Sequence, residues 1–365
     1  MTILKINCSI IRGGTTKGIY IERSELPTDT DLRDRAILSL FGSPDIRQIN
    51  GLGGADPLSS KVVLVNKSSD KNCDVDYESG EVGIDNSTIN YGTMCGNLAS
   101  GVGLFAIAQG WIKKKAPSTE IKIRNVNTGK YIIAEVSSTD EKIPLVPSIN
   151  IDCVPGYGAE IDLKFNNPAG AITGFLLPTG KAVNDLSSQE KIYKCSIVDC
   201  GALYAFFNAN DFNLTASEVP EKLDQMNDFR RIIEELRYKV SDLINDCKGI
   251  NITKNKVKIA IFSSKNESVN MGEVSLIARV INTYKTHKAY PVTGALCISA
   301  ATMIDGTLLY KKSDTNKNCV KIDHPSGVII STSSTKIVDD KIQVESASLK
   351  RSSRILIQGV SEVYV

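Results

Sequence analysis

The pattern of apolar and polar positions predicts a chain of mixed α and β structure. Runs rich in β-branched and aromatic residues predict strands at residues 4–11, 18–21, 61–66, 74–77, 121–125, 131–137, 196–198 and 202–208. Residues 26–41 are predicted to form a helix, with Pro27 at its start and Gly42 just past its end. The charged, amphipathic residues 218–245 predict one or two surface helices.

Two segments without charged residues predict buried helices. Residues 98–109 carry small or apolar side chains on every side, and residues 292–303 repeat this pattern. A helix that is apolar all round is a buried one. Small-residue turns, Cys95-Gly96 and Thr293-Gly294, open the two segments in place of a Ser or Asp cap. The chain is therefore predicted to have two related halves, each a sheet around one buried helix.

The two predicted helix openings suggest a common binding site. If the buried helices face each other, their free N–H groups and positive dipole ends converge in one cleft, which suits carboxylates. The alternative is two ordinary capped helices, which explains the composition but not the shared glycine. A turn at residues 176–180 predicts domains at 1–182 and 183–365, and it leaves open that the last strand returns to the first domain.

Composition and charge exclude several classes of protein. The 365 residues suit two domains, and a net charge of +2 predicts neither a nucleic-acid partner nor a membrane partner. Nine scattered cysteines without Cys-x-x-Cys spacing argue against a disulfide framework and a structural zinc site. The N-terminal apolar run is too short for a signal peptide, so we expect a reducing, cytoplasmic location.

Lys61 and Cys95 are the candidate catalytic residues. A glycine-rich run at residues 51–60 leads into Lys61 at the head of an apolar strand. Burial of a lysine is costly unless it is used or paired, and it favours the neutral amine that a proton-transfer catalyst needs. The alternative is a loop lysine whose head reaches water. Cys95 opens a helix, where the dipole favours a thiolate, although most cysteines are small core residues.

Several motifs in a fixed order resemble those of the methylaconitate cis-trans isomerase family. They are Arg-Gly-Gly-Thr-Thr-Lys-Gly at 12–18, Gly-Leu-Gly-Gly-Ala-Asp-Pro-Leu-Ser-Ser-Lys at 51–61, Cys-Gly-Asn at 95–97, Val-Pro-Gly at 154–156, Leu-Leu-Pro-Thr-Gly at 176–180, His-Lys-Ala at 287–289 and His-Pro-Ser-Gly at 324–327. The resemblance covers nearly the whole chain. The members of this family include 4-oxalomesaconate tautomerase and methylitaconate isomerase.

This resemblance implies a diaminopimelate-epimerase-like α+β fold of two pseudo-symmetric domains. Each domain is expected to be a curved, barrel-like sheet around a central buried helix, with Lys61 and Cys95 in the cleft between domains. The implied reaction needs no cofactor. It transfers a proton in a small unsaturated di- or tricarboxylate, such as oxalomesaconate, methylaconitate, aconitate or methylitaconate. Either an allylic double-bond shift or a cis–trans isomerisation would result.

Carboxylate binding calls for hydroxyls, backbone amides and a guanidinium near the two helix openings. Arg279 is the candidate bidentate clamp, and its alternative is a surface ion pair. His287 either contacts substrate or caps a loop. The full set of candidate substrate-binding residues is Thr15, Thr16, Ser60, Gly96, Asn97, Arg279, His287, Thr293, Gly294, Ser326 and Gly327.

Two other functions stay open from sequence. An amino-acid epimerase or racemase of the same fold needs a second cysteine facing the first, but Thr293 holds that place and Cys297 follows one turn later. A non-catalytic carboxylate-binding protein would keep Arg279 but have no use for Lys61 and Cys95. The sequence predicts a small-molecule substrate and no metal, and it leaves a homo-oligomer open.

Overall fold

The computed structural model describes residues 2–91, 95–138, 147–264, 273–283, 285–311, 318–338 and 341–365. The α-helices are α1 (Thr30–Phe41), α2 (Gly96–Ala108), α3 (Pro220–Gln225), α4 (Asn227–Lys248) and α5 (Val292–Met303). The strands are β1 (Ile3–Gly13), β2 (Thr16–Glu22), β3 (Lys61–Lys67), β4 (Val75–Val82), β5 (Ile89–Asn90), β6 (Ser118–Asn125), β7 (Tyr131–Ser137), β8 (Ala159–Asn166), β9 (Asn184–Ser188), β10 (Lys191–Asp199), β11 (Leu203–Asn208), β12 (Lys258–Ser264), β13 (Glu273–Ile281), β14 (Cys319–His324), β15 (Gly327–Val338) and β16 (Lys341–Tyr364).

The chain divides into two units. The first comprises Met1–Lys164 and Lys350–Val365, and the second comprises Phe165–Leu349. The division falls earlier in the chain than the sequence-based boundary after residue 182. Strand β16 supplies residues to both units.

In the first unit the strand order is β1-β2-β3-β4-β6-β7-β8-β16, and β16 also pairs with β1. One sheet face is covered by α1, whose Ile37 and Phe41 join Val62 in a buried apolar cluster. The other face packs on α2, where Tyr20 donates a hydrogen bond to the Leu98 carbonyl over 2.6 Å. Helix α2 is buried from Gly96 to Ala106, as its uncharged sequence predicts.

In the second unit the strand order is β9-β10-β11-β12-β13-β14-β15-β16. Helix α4 packs on one face through residues such as Ile233 and Leu236. Helix α5 packs on the other face, where Ser299 and Ser333 of β15 bond through their hydroxyls at 2.8 Å. Helix α5 is buried from Val292 to Thr302.

Strand directions establish that the two units are related. The pairs β2–β3 and β4–β6 are parallel in the first unit, and the pairs β11–β12 and β13–β14 are parallel in the second. Parallel neighbours need a crossover connection. Helix α1 lies in the β2–β3 connection and α2 between β4 and β6, while α3 and α4 lie in the β11–β12 connection and α5 between β13 and β14. The predicted α+β fold of two related halves is confirmed.

Two helix predictions differ from the structure at their bounds. Helix α1 begins at Thr30 rather than residue 26, because the Asp29 side chain accepts a hydrogen bond from the Leu32 N–H and caps the helix there. Its end is as predicted, with Gly42 in the left-handed region at φ 73°. The segment 218–245 forms α3 and α4, which meet at Met226. No helix in the described residues is long and apolar enough to cross a membrane.

Candidate active site

Alternation along β3 turns Lys61 toward α2. Val62 belongs to the cluster under α1, and successive strand side chains point to opposite faces. Lys61 and Val63 therefore lie on the other face, together with Tyr20, the register partner of Val63. Because Tyr20 bonds to Leu98 of α2, this is the face that α2 covers.

Gly18 determines which part of α2 lies next to Lys61. A Cβ on Gly18 would lie 2.9 Å from Cδ2 of Leu98 and 3.3 Å from the carbonyl oxygen of Lys61. Only a glycine lets β2 approach α2 this closely. Lys61 therefore begins β3 level with the first turn of α2.

The Lys61 amine is paired with a carboxylate. Its Nζ lies 2.7 Å from Oε1 of Glu81, the register partner of Lys61 on β4. The Lys61 side chain is 7% exposed and the Glu81 side chain 55% exposed. The amine is thus held within the protein at the rim of a buried region, unlike a loop lysine that reaches open water.

A buried glutamine organises the glycine-rich loop before Lys61. Gln48 Nε2 donates to Ser60 Oγ over 2.8 Å, and its Oε1 accepts from the Ala55 N–H over 2.8 Å. A Cβ on Gly53 would lie 2.2 Å from the same Oε1, so the loop needs glycine there. The Ser60 hydroxyl also donates to the Val82 carbonyl over 2.9 Å. The Ser60 hydroxyl therefore links Gln48, which precedes the loop, to the end of β4.

Cys95 stands at the opening of α2 beside two buried phenols. It is the N-cap residue, it is half-buried, and its side chain makes no capping hydrogen bond. Burial raises the pKa of Tyr20 and of Tyr77 well above the usual value, and the neighbouring Cys95 raises both further. Both phenols remain protonated at neutral pH, and Cys95 lies within electrostatic reach of each.

Hydroxyl and amide groups cluster on the first turn of α2. Asn97 Nδ2 donates to Thr15 Oγ1 over 3.1 Å and lies 3.5 Å from Thr16 Oγ1. Gly14 has φ 53°, and a Cβ there would lie 2.1 Å from Asn97 Oδ1. Gly96 is the first residue of the helix. The structure therefore brings these predicted binding residues of the first unit together beside the two catalytic candidates.

In the second unit, Thr293 and Gly294 lie in the first turn of α5. The N-cap is Pro291, so this pair lies deeper in its helix than the Cys95 pair does in α2. A Cβ on Gly294 would lie 2.9 Å from Tyr204 Oη and 3.0 Å from Tyr290 Cε1. Two buried tyrosines thus pack closely against the helix opening.

His287, Ser326 and Gly327 lie in two touching loops of the second unit. His287 Nδ1 accepts a hydrogen bond from the Ala289 N–H over 3.0 Å, which is the loop-capping arrangement. The Ser326 hydroxyl donates to the Lys288 carbonyl. Gly327 has φ 135° and closes the β14–β15 hairpin.

Arg279 lies on the α4 side of its sheet. Ile277 and Ile281 stand two residues before and after Arg279, and both pack in the buried apolar cluster that α4 forms with the sheet. Because alternate strand residues share a face, Arg279 lies on that face too. Its Nε donates to the Glu218 carbonyl over 2.9 Å, and Nη1 lies 3.3 Å from the Asp323 carbonyl. Burial lowers the Arg279 pKa. Arg279 is therefore no surface ion pair, and the structure does not bring it to the first turn of α5.

The sequence analysis missed three residues that lie near Lys61 or the first turn of α2 in the first unit: Gln48, Glu81 and Arg351. Gln48 stands three residues before the glycine-rich motif at 51–61, and this closeness is the signal that the sequence offers for it. Arg351 lies on β16 and is 7% exposed, and no local motif marks it. Burial lowers the Arg351 pKa to about 10, so it stays charged at neutral pH. Across the described residues, no three His, Cys, Asp or Glu side chains are grouped so as to hold a metal ion.

A family model described as PrpF protein matches residues 3–365. The chain is 37% identical over 380 residues to 3-methylitaconate isomerase of Eubacterium barkeri, covering 99% of this chain and 97% of that protein. It is 32% identical over 359 residues to 4-oxalomesaconate tautomerase of Pseudomonas putida, covering 98% and 95%. A crystal structure of methylitaconate-delta-isomerase superposes with a TM-score of 0.81 at 35% identity, covering 100% of this chain and 96% of that one.

Proposed function

Because the chain belongs to the PrpF protein family, as its sequence motifs predicted, we propose that it is a cofactor-independent isomerase of small unsaturated di- or tricarboxylates. The observation that carries this proposal is the match, over 98–99% of the chain, to proteins named 3-methylitaconate isomerase and 4-oxalomesaconate tautomerase. We assign the proton transfer to Lys61 and Cys95.

The reaction moves one proton and leaves the electron count of the substrate unchanged. A base removes a proton from a carbon beside a carboxylate or keto group, and the C–H electron pair enters a delocalised allylic anion. Return of a proton to the far carbon moves the double bond. Return after rotation interconverts cis and trans isomers. The protein must supply a base, a conjugate acid and fixed dipoles for the developing charge.

The first turn of α2 offers those dipoles beside the proton-transfer candidates. The backbone N–H groups of Gly96 and Asn97 belong to a helix start, which favours negative charge. The Thr15 and Thr16 hydroxyls stand next to the Asn97 amide. Fixed donors of this kind stabilise an anionic transition state without reorganisation.

The residues of the second unit are proposed contributors to substrate binding. They are Thr293, Gly294, His287, Ser326 and Gly327. Homo-oligomerisation and a cytoplasmic location stay predictions.

The environment of Cys297 favours an isomerase over an epimerase that uses two cysteines. Cys297 is the cysteine of α5, and its Sγ lies 3.3 Å from the Val198 carbonyl of β10, to which it donates. Burial raises the Cys297 pKa well above the usual value. A buried thiol engaged in this way is poorly suited to take a proton from an amino acid.

The proposal is tested by incubating the purified protein in D₂O with separate acids and following proton NMR. The panel is cis-aconitate, trans-aconitate, methylaconitate, methylitaconate and oxalomesaconate, with D- and L-proline as epimerase controls. We expect deuterium in at least one unsaturated acid and the appearance of its isomer. Binding without exchange in any acid would support the non-catalytic carboxylate-binding alternative instead, and exchange at the proline α-carbon alone would support the epimerase.

A further inference from the structure

Arg351 is a buried guanidinium without a carboxylate partner in the part of the chain that the structure describes. Its Nη1 donates to the carbonyl of the preceding residue, Lys350, over 3.1 Å. Its Nε is buried and has no hydrogen-bond partner. A buried charge that is neither paired nor fully bonded destabilises a fold. Such a group calls for an explanation.

The buried arginine of the second unit shows the usual solution. Arg237 donates from Nε to Glu234 over 3.1 Å, from Nη1 to the Val257 carbonyl over 2.6 Å and from Nη2 to the Ile281 carbonyl over 2.7 Å. Every arm of that guanidinium has a partner. Arg351 lacks this arrangement although it is buried to a similar degree.

Arg351 borders the candidate active site. A Cβ on Gly14 would lie 3.2 Å from Arg351 Cδ and 2.1 Å from Asn97 Oδ1. The Asn97 Oδ1 atom is also buried and without a hydrogen-bond partner. Arg351 and Asn97 thus both lie against Gly14, at the turn that carries Thr15 and next to the first turn of α2.

We propose that Arg351 binds one carboxylate of the substrate, beside Asn97. The proposal rests on the proposed function for the identity of the ligand as a polycarboxylate. A guanidinium matches a carboxylate with two parallel donors, and the bound anion would neutralise the buried charge. Arg351 would then hold the substrate over α2 while Lys61 and Cys95 move the proton. The ligand, rather than a protein carboxylate, is the partner of this arginine.

The test compares Arg351→Gln with Arg354→Gln, which removes an exposed arginine three residues along the same strand. Binding is measured by calorimetry with tricarballylate, a saturated tricarboxylate that cannot isomerise, and with cis-aconitate. We expect Arg351→Gln to weaken binding of these acids about tenfold to a hundredfold. Its ligand-free melting temperature should match or exceed that of the wild type, because an uncompensated buried charge is gone. Arg354→Gln should bind like the wild type.

Arg351→Lys keeps the charge without the planar fork and guards against a folding failure of the glutamine variant. We expect it to bind more weakly than the wild type and to raise KM more than it lowers kcat. A merely structural arginine would lower the melting temperature in both variants and leave the affinity of the folded protein unchanged, which overturns the proposal. Absence of tricarballylate and cis-aconitate binding to the wild type also overturns it.

These outcomes separate the two proposals. Loss of binding in Arg351→Gln, with no isomerase activity in the wild type on any acid, upholds the carboxylate site and overturns the proposed function. Isomerisation by the wild type, together with unchanged binding in both Arg351 variants, upholds the proposed function and overturns the carboxylate site at Arg351.

Discussion

Lys61 and Glu81 face each other in register on β3 and β4, with Nζ and Oε1 2.7 Å apart. One partner is buried and the other is half-exposed. The pair therefore places an amine at the boundary between the interior of the first unit and its surroundings. In the proposed reaction Glu81 would act through Lys61, as a positioning residue.

Glu81→Gln is expected to lower kcat about tenfold, a loss of about 1.4 kcal/mol of transition-state stabilisation, with a smaller change in KM. The neutral amide can no longer hold the amine by charge. Steady-state kinetics on the acid identified in the panel measures both constants. The matched control is Glu78→Gln on the same strand, which removes the 2.8 Å ion pair with Arg23. Equal effects of the two variants would assign the loss to general disturbance of β4.

Activity is expected to survive exhaustive chelation. The proposed reaction transfers only a proton, and the described residues offer no group of three metal-ligating side chains. Dialysis against a chelator, followed by assay with and without added divalent metals, measures this. Loss of activity that one metal restores would contradict it.

Arg279→Lys is expected to lower the free energy of unfolding by about 1.5–3 kcal/mol, the scale of a hydrogen bond to a charged group. The planar fork that joins β13 to the Glu218 carbonyl is lost, while the charge stays. Denaturant unfolding measures the change, and KM should stay within about twofold because substrate binding is not expected at this face. A raised KM at unchanged stability would return Arg279 to the carboxylate clamp predicted from sequence.

Local patterns predicted the helices well and the later strands poorly. The absence of charged residues in α2 and α5 indicates that these helices are buried, even when the elements that cover them are unknown. The start of α1 was misplaced because Pro27 and Asp29 both suit a helix start, and the Asp29 side chain decides between them. Strands β15 and β16 are rich in Ser, Thr and charged residues, so their apolar alternation is weak. Strand β16 also pairs with β1, from the other end of the chain, which no local pattern shows.

The candidate site divides in the same way. Lys61 and Cys95 stand in short motifs that can be recognised in the sequence alone. Arg351 and Gln48 matter through residues far away or through loop geometry. Arg351 reaches Gly14 from the other end of the chain, and only the folded first unit shows that approach.

Gln48→Ala tests whether the glutamine holds the glycine-rich loop. The change removes the hydrogen bond that Gln48 donates to Ser60 Oγ and leaves the Ala55 N–H without its partner, at a cost of about 1–3 kcal/mol in unfolding free energy. Activity should also fall, because this loop leads directly into Lys61. Thermal unfolding and kcat/KM measure the two effects. Gln109→Ala, at an exposed helix end, is the control that should change neither.

The last prediction separates the roles of the two catalytic candidates. Lys61→Ala should abolish isomerisation, a loss of about 10²–10⁴-fold, while the folded protein still binds the acid. Cys95→Ser should keep measurable activity, because the backbone amides of Gly96 and Asn97 remain at the start of α2. In D₂O the wild type should place deuterium in both substrate and product, and Lys61→Ala should place none.

The control for this comparison is Cys247→Ser, which removes an exposed thiol of α4 in the second unit and should exchange protons like the wild type. Proton NMR follows exchange at substrate concentrations that saturate each variant, so that weakened binding is not mistaken for lost chemistry. If Lys61→Ala exchanges protons normally and Cys95→Ser does not, the assignments are reversed. The thiol at the helix start is then the base, and Lys61 is a binding residue whose amine Glu81 holds in place.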